Sequence, residues 1–193
     1  MHIKAAGLTA ILVLTWPALA AAGPALDAAQ RAEALAAEGK VVEALDAFYG
    51  GLDALWQAIP LSFRTVALAD SASGFGVYEE RANPTFRPDE MLTVYVEPVG
   101  FGHGTADGAG SIGFTADLAI ENATGQVLSD TDHVFSLSTP SSPQRREFYM
   151  ALTFAVPYLR PGEYKAIFTV HDQNSDKSGS FEVPFNVALP AAE

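Results

Sequence analysis

From Leu61 onward, apolar and polar residues alternate in short runs separated by clusters of Gly, Pro, Ser, Asn and Asp. A period of two sends successive side chains to opposite faces of an extended chain, so each run predicts a half-buried strand. Ile112, Phe114, Ala116, Leu118 and Ile120 fall on one face, with Thr115, Asp117 and Glu121 on the other. Phe148, Met150, Leu152 and Phe154 make a second apolar face, Tyr164, Ala166, Phe168 and Val170 a third, and Phe181, Val183, Phe185 and Val187 a fourth. Pro184 has no amide proton, which predicts an edge position or a bulge for the last of these. The predicted strands are 62–68, 76–81, 91–97, 112–121, 126–128, 133–137, 147–154, 163–171 and 180–187, with "ENATGQ" as a hairpin turn. Many short strands punctuated in this way predict two packed antiparallel sheets over residues 61–190.

Upstream of Pro60 the period changes. Residues 24–59 are dominated by Ala, Leu, Glu, Gln and Arg, and Pro24 suits a first helical turn. Glu38-Gly39-Lys40 interrupts the run as a helix end does. Val41, Leu45, Phe48, Leu52, Leu55 and Ile59 then recur at the spacing of one helical stripe, which Pro60 stops. "LAAEGKVVEALDAFYGGL" resembles half of a tetratricopeptide-type helix pair, but a solenoid requires about three stacked repeats and this is one. The segment is therefore expected to be an amphipathic helical arm that packs on the following domain or on a partner.

The first twenty residues show a third pattern. Lys4, the apolar run Ala5–Leu14 and the small residues of Ala18-Leu19-Ala20 have the order of a cleaved secretory signal, and the run is too short to span a bilayer. After cleavage no transmembrane segment is expected. The chain has no cysteine, which excludes thiolate nucleophiles, thiolate metal sites and structural disulfides. Export without cysteine points to a bacterial periplasm or the cell exterior. The formal charge is −12, becoming −13 once Lys4 is removed with the signal, and the acids are spread along the chain. Such a field repels phosphate backbones, so nucleic acid is not an expected partner.

Two motifs carry structural meaning. In Leu159-Arg160-Pro161-Gly162-Glu163-Tyr164, Pro161 and Gly162 make a turn and Tyr164 opens a strand with its ring inward. A buried tyrosine hydroxyl requires a partner, and a carbonyl at the corner provides one. The motif resembles the tyrosine corner of immunoglobulin-like and fibronectin-type sandwiches. "FRPDEMLTVYVEPVGFG", Phe86 to Gly102, follows "GFGVYEERANPT". Together they resemble secreted bacterial proteins of unknown function that share an F-x-P-[GD]-E turn feeding a strand that ends in Tyr-x-Glu-Pro. The resemblance covers residues 70–190 and implies a sandwich domain without a known activity; with the helical residues 24–59, the chain is expected to be mainly β, an immunoglobulin-like antiparallel β-sandwich preceded by a short N-terminal helical segment. Asp89 stands where Gly is expected in that turn, which puts its geometry in question.

Candidate chemistry is sparse. On strand 91–97, Leu92, Val94 and Val96 face the core, which leaves Tyr95 and Glu97 on the opposite face as an aromatic–carboxylate platform. The glycine-rich stretch Gly100–Gly113, with His103 and Asp107, lacks the Lys and the following helix of a phosphate loop and reads as a long inter-strand loop for recognition. Arg145 and Arg146 are the only adjacent basic pair, in a polar segment 139–146 suited to an acidic group. His103, His133 and His171 are isolated in sequence, so no metal or other cofactor is expected. Asp172-x-Asn174-x-Asp176 copies the start of a calcium loop, but Lys177 and Val183 stand where glycine and the final glutamate belong. A hairpin tip is the reading adopted, with His171 outward beside it. No serine sits in a nucleophile elbow and no pair of acids is singled out. These features favour a non-enzymatic binding or interaction protein of the cell envelope, with a protein or glycan as partner. A carboxylate-based carbohydrate-active enzyme or accessory domain, and a calcium- or metal-binding module, stand as alternatives.

Overall fold

The structure, a computed structural model, describes residues 23–106, 109–142, 145–156 and 159–188. The expected signal segment and Asp107 lie outside these residues. The chain divides into two compact units, Met1–Gly51 and Leu52–Glu193. The sequence places the change of texture at Pro60, whereas the boundary between units falls inside the second helix.

The first unit contains α1 (Pro24–Ala37) and the start of α2 (Val41–Ala58). Pro24 occupies the first turn, and Asp27 complements the positive end of the α1 dipole. A Schellman motif ends α1: Lys40 N–H donates to Leu35 C=O, Gly39 N–H donates to Ala36 C=O, and Gly39 takes φ 79°. The two helices meet through small residues. Ala32 and Ala44 are buried, and a Cβ on Gly51 would collide with that of Ala28.

The second unit is mainly β and forms an immunoglobulin-like sandwich. One sheet has the order β2-β1-β4-β8, from β1 (Ser62–Gly74), β2 (Val77–Glu80), β4 (Met91–Val99) and β8 (Met150–Ala155). The other runs β3-β10-β9-β6-β5, with β7 also paired to β6. Its strands are β3 (Thr85–Phe86), β5 (Gly104–Ala106), β6 (Ala109–Asn122), β7 (Val127–Pro140), β9 (Gly162–Asp172) and β10 (Ser178–Val187). Every pairing is antiparallel except the two-residue β3–β10 contact. The period-two faces fill one core: Leu92, Val94, Val96, Met150 and Leu152 meet Phe114, Leu118, Ile120, Phe168, Val170 and Phe185. Pro184 pairs with Lys165 of β9, on a stretch of β10 that has no second neighbour, so its missing N–H leaves no gap in the ladder.

Three local features depart from the expected strands. The runs 126–128 and 133–137 form a single strand, β7. Opposite Asp117 its register shifts, with Ala116 facing Phe135 and Leu118 facing Thr131. His133 takes φ 55° at that bulge and turns its N–H out of the ladder onto Asp117 Oδ1 at 2.8 Å. The glycine-rich stretch is not one long loop, because Gly104–Ala106 pairs with Ala109–Ser111 as a hairpin. Finally, Asp89 has φ 64°, the left-handed conformation that glycine adopts without strain, at the position where the turn motif expects Gly. The turn accommodates Asp in that conformation. Arg87 N–H donates to Glu90 Oε2 at 2.9 Å and Asp89 N–H to Val156 C=O at 2.9 Å, fixing it from both sides.

Candidate functional site

At the end of the sandwich where β9 stops, three segments distant in sequence are tied together. Asp172 is 5% exposed, and its carboxylate organises the junction. Oδ1 accepts Asn174 N–H at 2.9 Å; Oδ2 accepts Gly102 N–H and Ser175 Oγ–H, each at 2.5 Å. These bonds close the 172–177 turn and seat it on the 100–104 stretch. The seat requires glycine: a Cβ on Gly102 would lie 3.0 Å from Asn174 C=O, and one on Gly104 would strike the Asn174 side chain. Lys177 Nζ donates to Gly100 C=O at 2.7 Å and to Trp56 C=O at 3.3 Å. A lysine at the carbonyl end of a helix also complements its dipole. Trp56 in turn donates Nε1–H to Phe101 C=O at 2.8 Å and packs edge-on against the Phe101 ring.

These ties leave a cleft of about 400 Å³. Asp53, Trp56 and Gln57 line one side, Phe101, Gly102 and His103 another, and Asn174, Ser175 and Lys177 the third. His103 Nε2 lies 2.7 Å from Arg145 C=O. A carbonyl only accepts, so Nε2 carries a proton and donates it to this bond. Arg146 pairs with Asp53, and the Arg145 guanidinium lies over Phe148. Hence His103, Arg145 and Arg146 converge at this end. Asp53 is the one acidic side chain on the cleft wall among the described residues, and its carboxylate is engaged by Arg146.

Tyr95 and Glu97 lie elsewhere, on the outer face of the smaller sheet. They are adjacent there, but the face is covered and not open: Tyr95 is 0% and Glu97 7% exposed. Tyr78 of the β1–β2 hairpin stacks on the Tyr95 ring at 4.0 Å, and Tyr149 stacks nearby at 5.7 Å. Tyr95 Oη donates to Glu97 Oε1 at 2.7 Å and accepts Gly76 N–H at 2.7 Å, while Thr65 Oγ1 donates to Glu97 Oε2 at 3.0 Å. Burial, reinforced by the neighbouring carboxylate, pushes the Tyr95 hydroxyl up to about 12. The Tyr95 hydroxyl and both Glu97 carboxylate oxygens are thus engaged within the fold.

The histidines pair differently from their sequence setting. Asp130 and Asp132 flank His133 in sequence, yet its partner is Asp117, and His171 joins the same carboxylate. Asp117 Oδ2 lies 2.7 Å from His171 Nε2. The His133 backbone N–H, followed by the His171 side chain, holds the Asp117 carboxyl below its ordinary value. Among the described residues no three such side chains converge as a metal site. Pro161, Gly162 and Tyr164 sit at the opposite end of β9, where Tyr164 Oη donates to Arg160 C=O at 2.7 Å and the ring stacks on Phe185. A depression of about 620 Å³ lies beside this corner and the 122–125 turn. Of its polar side chains, Asn122 already accepts Thr124 N–H, Thr124 Oγ1–H and Gln126 N–H, and Lys165 pairs with Glu121 and Glu182.

Trp56, Asn174, Ser175 and Lys177 are four of the nine residues that line the cleft, and of these the sequence marked only Asn174, in a calcium-loop pattern that was set aside. The available signals were weak: Trp56 falls next to Leu55 of the apolar stripe, and Lys177 is a cation where a calcium loop requires glycine. Their convergence depends on which strands pair, which no local spacing encodes.

No family model and no curated protein matches the sequence. Among solved structures, an alkylpurine DNA glycosylase from Pseudomonas fluorescens, bound to DNA containing an abasic-site analogue, is 12% identical with a TM-score of 0.34. A family 123 glycoside hydrolase from Clostridium perfringens is 11% identical with a TM-score of 0.39. These alignments cover 74% and 67% of this chain, which spans only 34% and 28% of the two proteins. A CARDB domain from Pyrococcus furiosus, in complex with di-metal ions, is 15% identical with a TM-score of 0.32, over 68% of this chain and 96% of that one. Likeness at this level assigns no function.

Proposed function

We propose that this chain is an exported, non-enzymatic binding protein of the bacterial cell envelope, and that its ligand is a glycan segment held in the cleft between Trp56, His103 and Asn174. The observation that carries the reading is the cleft's construction. Its volume lies in the range of small-ligand sites. Its walls mix aromatic atoms with amide, imidazole and carboxylate groups, as recognition of a hydroxyl-rich ligand requires. Asp172 and Lys177 hold those walls in place before any ligand arrives, which lowers the ordering cost of binding. The secretory pattern at residues 1–20 supports export.

Trp16 lies in that leader, so Trp56 is the sole tryptophan of the processed chain. Its emission reports directly on the cleft. Titration with neutral and acidic envelope oligosaccharides should give a saturable change in Trp56 fluorescence. Gln57→Ala and His103→Ala should weaken it without altering the circular dichroism. No saturable change with any oligosaccharide, or an equal response in both variants, would overturn the reading.

A further inference from the structure

The charges around the cleft are not balanced. Apart from His103, the ionisable side chains on its wall among the described residues are Asp53 and Lys177. Asp53 is matched by Arg146. Lys177 makes no ion pair among the described residues, although the chain carries 23 acids against 11 bases. Its side-chain partners are the carbonyls of Gly100 and Trp56. They hold the ammonium in place and take two of its three hydrogens, but a carbonyl is a dipole and cancels no charge.

The acids beside it do not fill the gap. Asp172 spends both oxygens on Gly102, Asn174 and Ser175. Asp176 and Glu147 are exposed, and neither forms an ion pair among the described residues. Lys177 is only partly exposed, so water covers its charge incompletely. A half-buried ammonium with one hydrogen to spare, on a concave wall, suits an anionic oxygen, because a bond between two charged groups is stronger than one between neutral ones. One unmatched positive charge suits a monoanion. A dianionic phosphate would bring a second negative charge into a cleft that already holds Asp53, which favours a carboxylate.

We infer that the ligand of the cleft is an acidic sugar whose carboxylate pairs with Lys177 Nζ, an assignment that rests on the glycan reading above. The test sets oligomers of galacturonic, glucuronic and mannuronic acid against their methyl esters, which keep the sugar skeleton and lose the charge. Trp56 fluorescence is read at about 0.15 M salt, where charges beyond about 8 Å are screened and the acidity of the whole chain matters little. In at least one pair the acid should bind about tenfold more tightly than its ester, or better. Lys177→Met removes the charge together with the two carbonyl ties, so both ligands should weaken. The diagnostic quantity is their ratio, which should fall to about one. Lys177→Gln, which keeps an amide donor for those carbonyls, gives the same reading should the Met variant fail to fold. Equal affinity of acid and ester in every pair, or neutral oligosaccharides that bind better than every acid, would overturn the inference and leave the glycan reading standing. A preference that survives both substitutions would also overturn it. Displacement of the acid by inorganic phosphate at lower concentration than by acetate would overturn the choice of a carboxylate. No saturable change with any sugar would remove the glycan reading itself, and this inference with it.

Discussion

Asp89 occupies a backbone conformation that costs an ordinary L-residue about 1–2 kcal/mol. Glycine removes that strain but gives the unfolded chain more freedom, so Asp89→Gly should gain only about 0.5 kcal/mol, whereas branched Asp89→Val should lose about 2 kcal/mol. Urea midpoints of the two variants would show the opposite signs. Asp117 illustrates how a charge can serve a bulge. Its carboxylate replaces the ladder partner of His133 N–H, and the side chain is one-quarter exposed. Because its folded pKa lies below the ordinary 3.8, the stabilisation is present above that value and fades as pH falls through the lower folded one. Asp117→Asn should cost about 1–2 kcal/mol at neutral pH, and its Tm should converge on that of the wild type below about pH 4. Tyr95 behaves in the reverse sense. With its hydroxyl raised to about 12, stability should hold up to pH 10 and decline between 10 and 12, and ultraviolet titration should show one tyrosine ionising last. Tyr95→Phe leaves Glu97 Oε1 and Gly76 N–H without this partner, at a cost of about 1–3 kcal/mol.

At the scale of elements, the sandwich was legible where one face of a strand is buried, since burial writes itself into a period of two. β6, β8, β9 and β10 follow that pattern, whereas β4 is buried on both faces. The short strands β3 and β5 were not legible, because two or three residues cannot establish a period. β7 looked like two strands because its bulge breaks the alternation at His133. Within the candidate site, His103, Arg145 and Arg146 stood out by residue type, but the Asp172 and Lys177 ties join residues 70 and 77 positions apart. The glycines of the 100–113 stretch suggested a loose loop, whereas several of them create space for the 172–177 turn. Gly100 is the strictest case. It has φ 79°, and a Cβ there would lie 2.6 Å from Pro60 C=O. Backbone cannot yield as a side chain can, so Gly100→Ala should cost about 2–3 kcal/mol by strain and overpacking. At Gly104 the obstacle is the Asn174 side chain. Gly104→Ala should therefore alter ligand binding more than stability, and paired thermal melts and fluorescence titrations would separate the two effects.

For the whole molecule, two compact units can open independently and should then differ in susceptibility to proteolysis. Trypsin has few accessible bonds in the sandwich. Arg87 and Arg160 each precede proline, where trypsin does not cut, Arg64 lies within β1, and Arg81 is held by Asp70 and Glu90. Lys165 and Lys177 sit in a strand and a tied turn. Arg31 and Lys40 belong instead to a helical hairpin joined only by small side chains, and Lys40 is exposed. Limited digestion should therefore cut first at Arg31 or Lys40 and release a persistent fragment beginning at Ala32 or Val41, as mass spectrometry would show. First cleavage at Arg145 or Arg146 would instead make the cleft rim the less stable region.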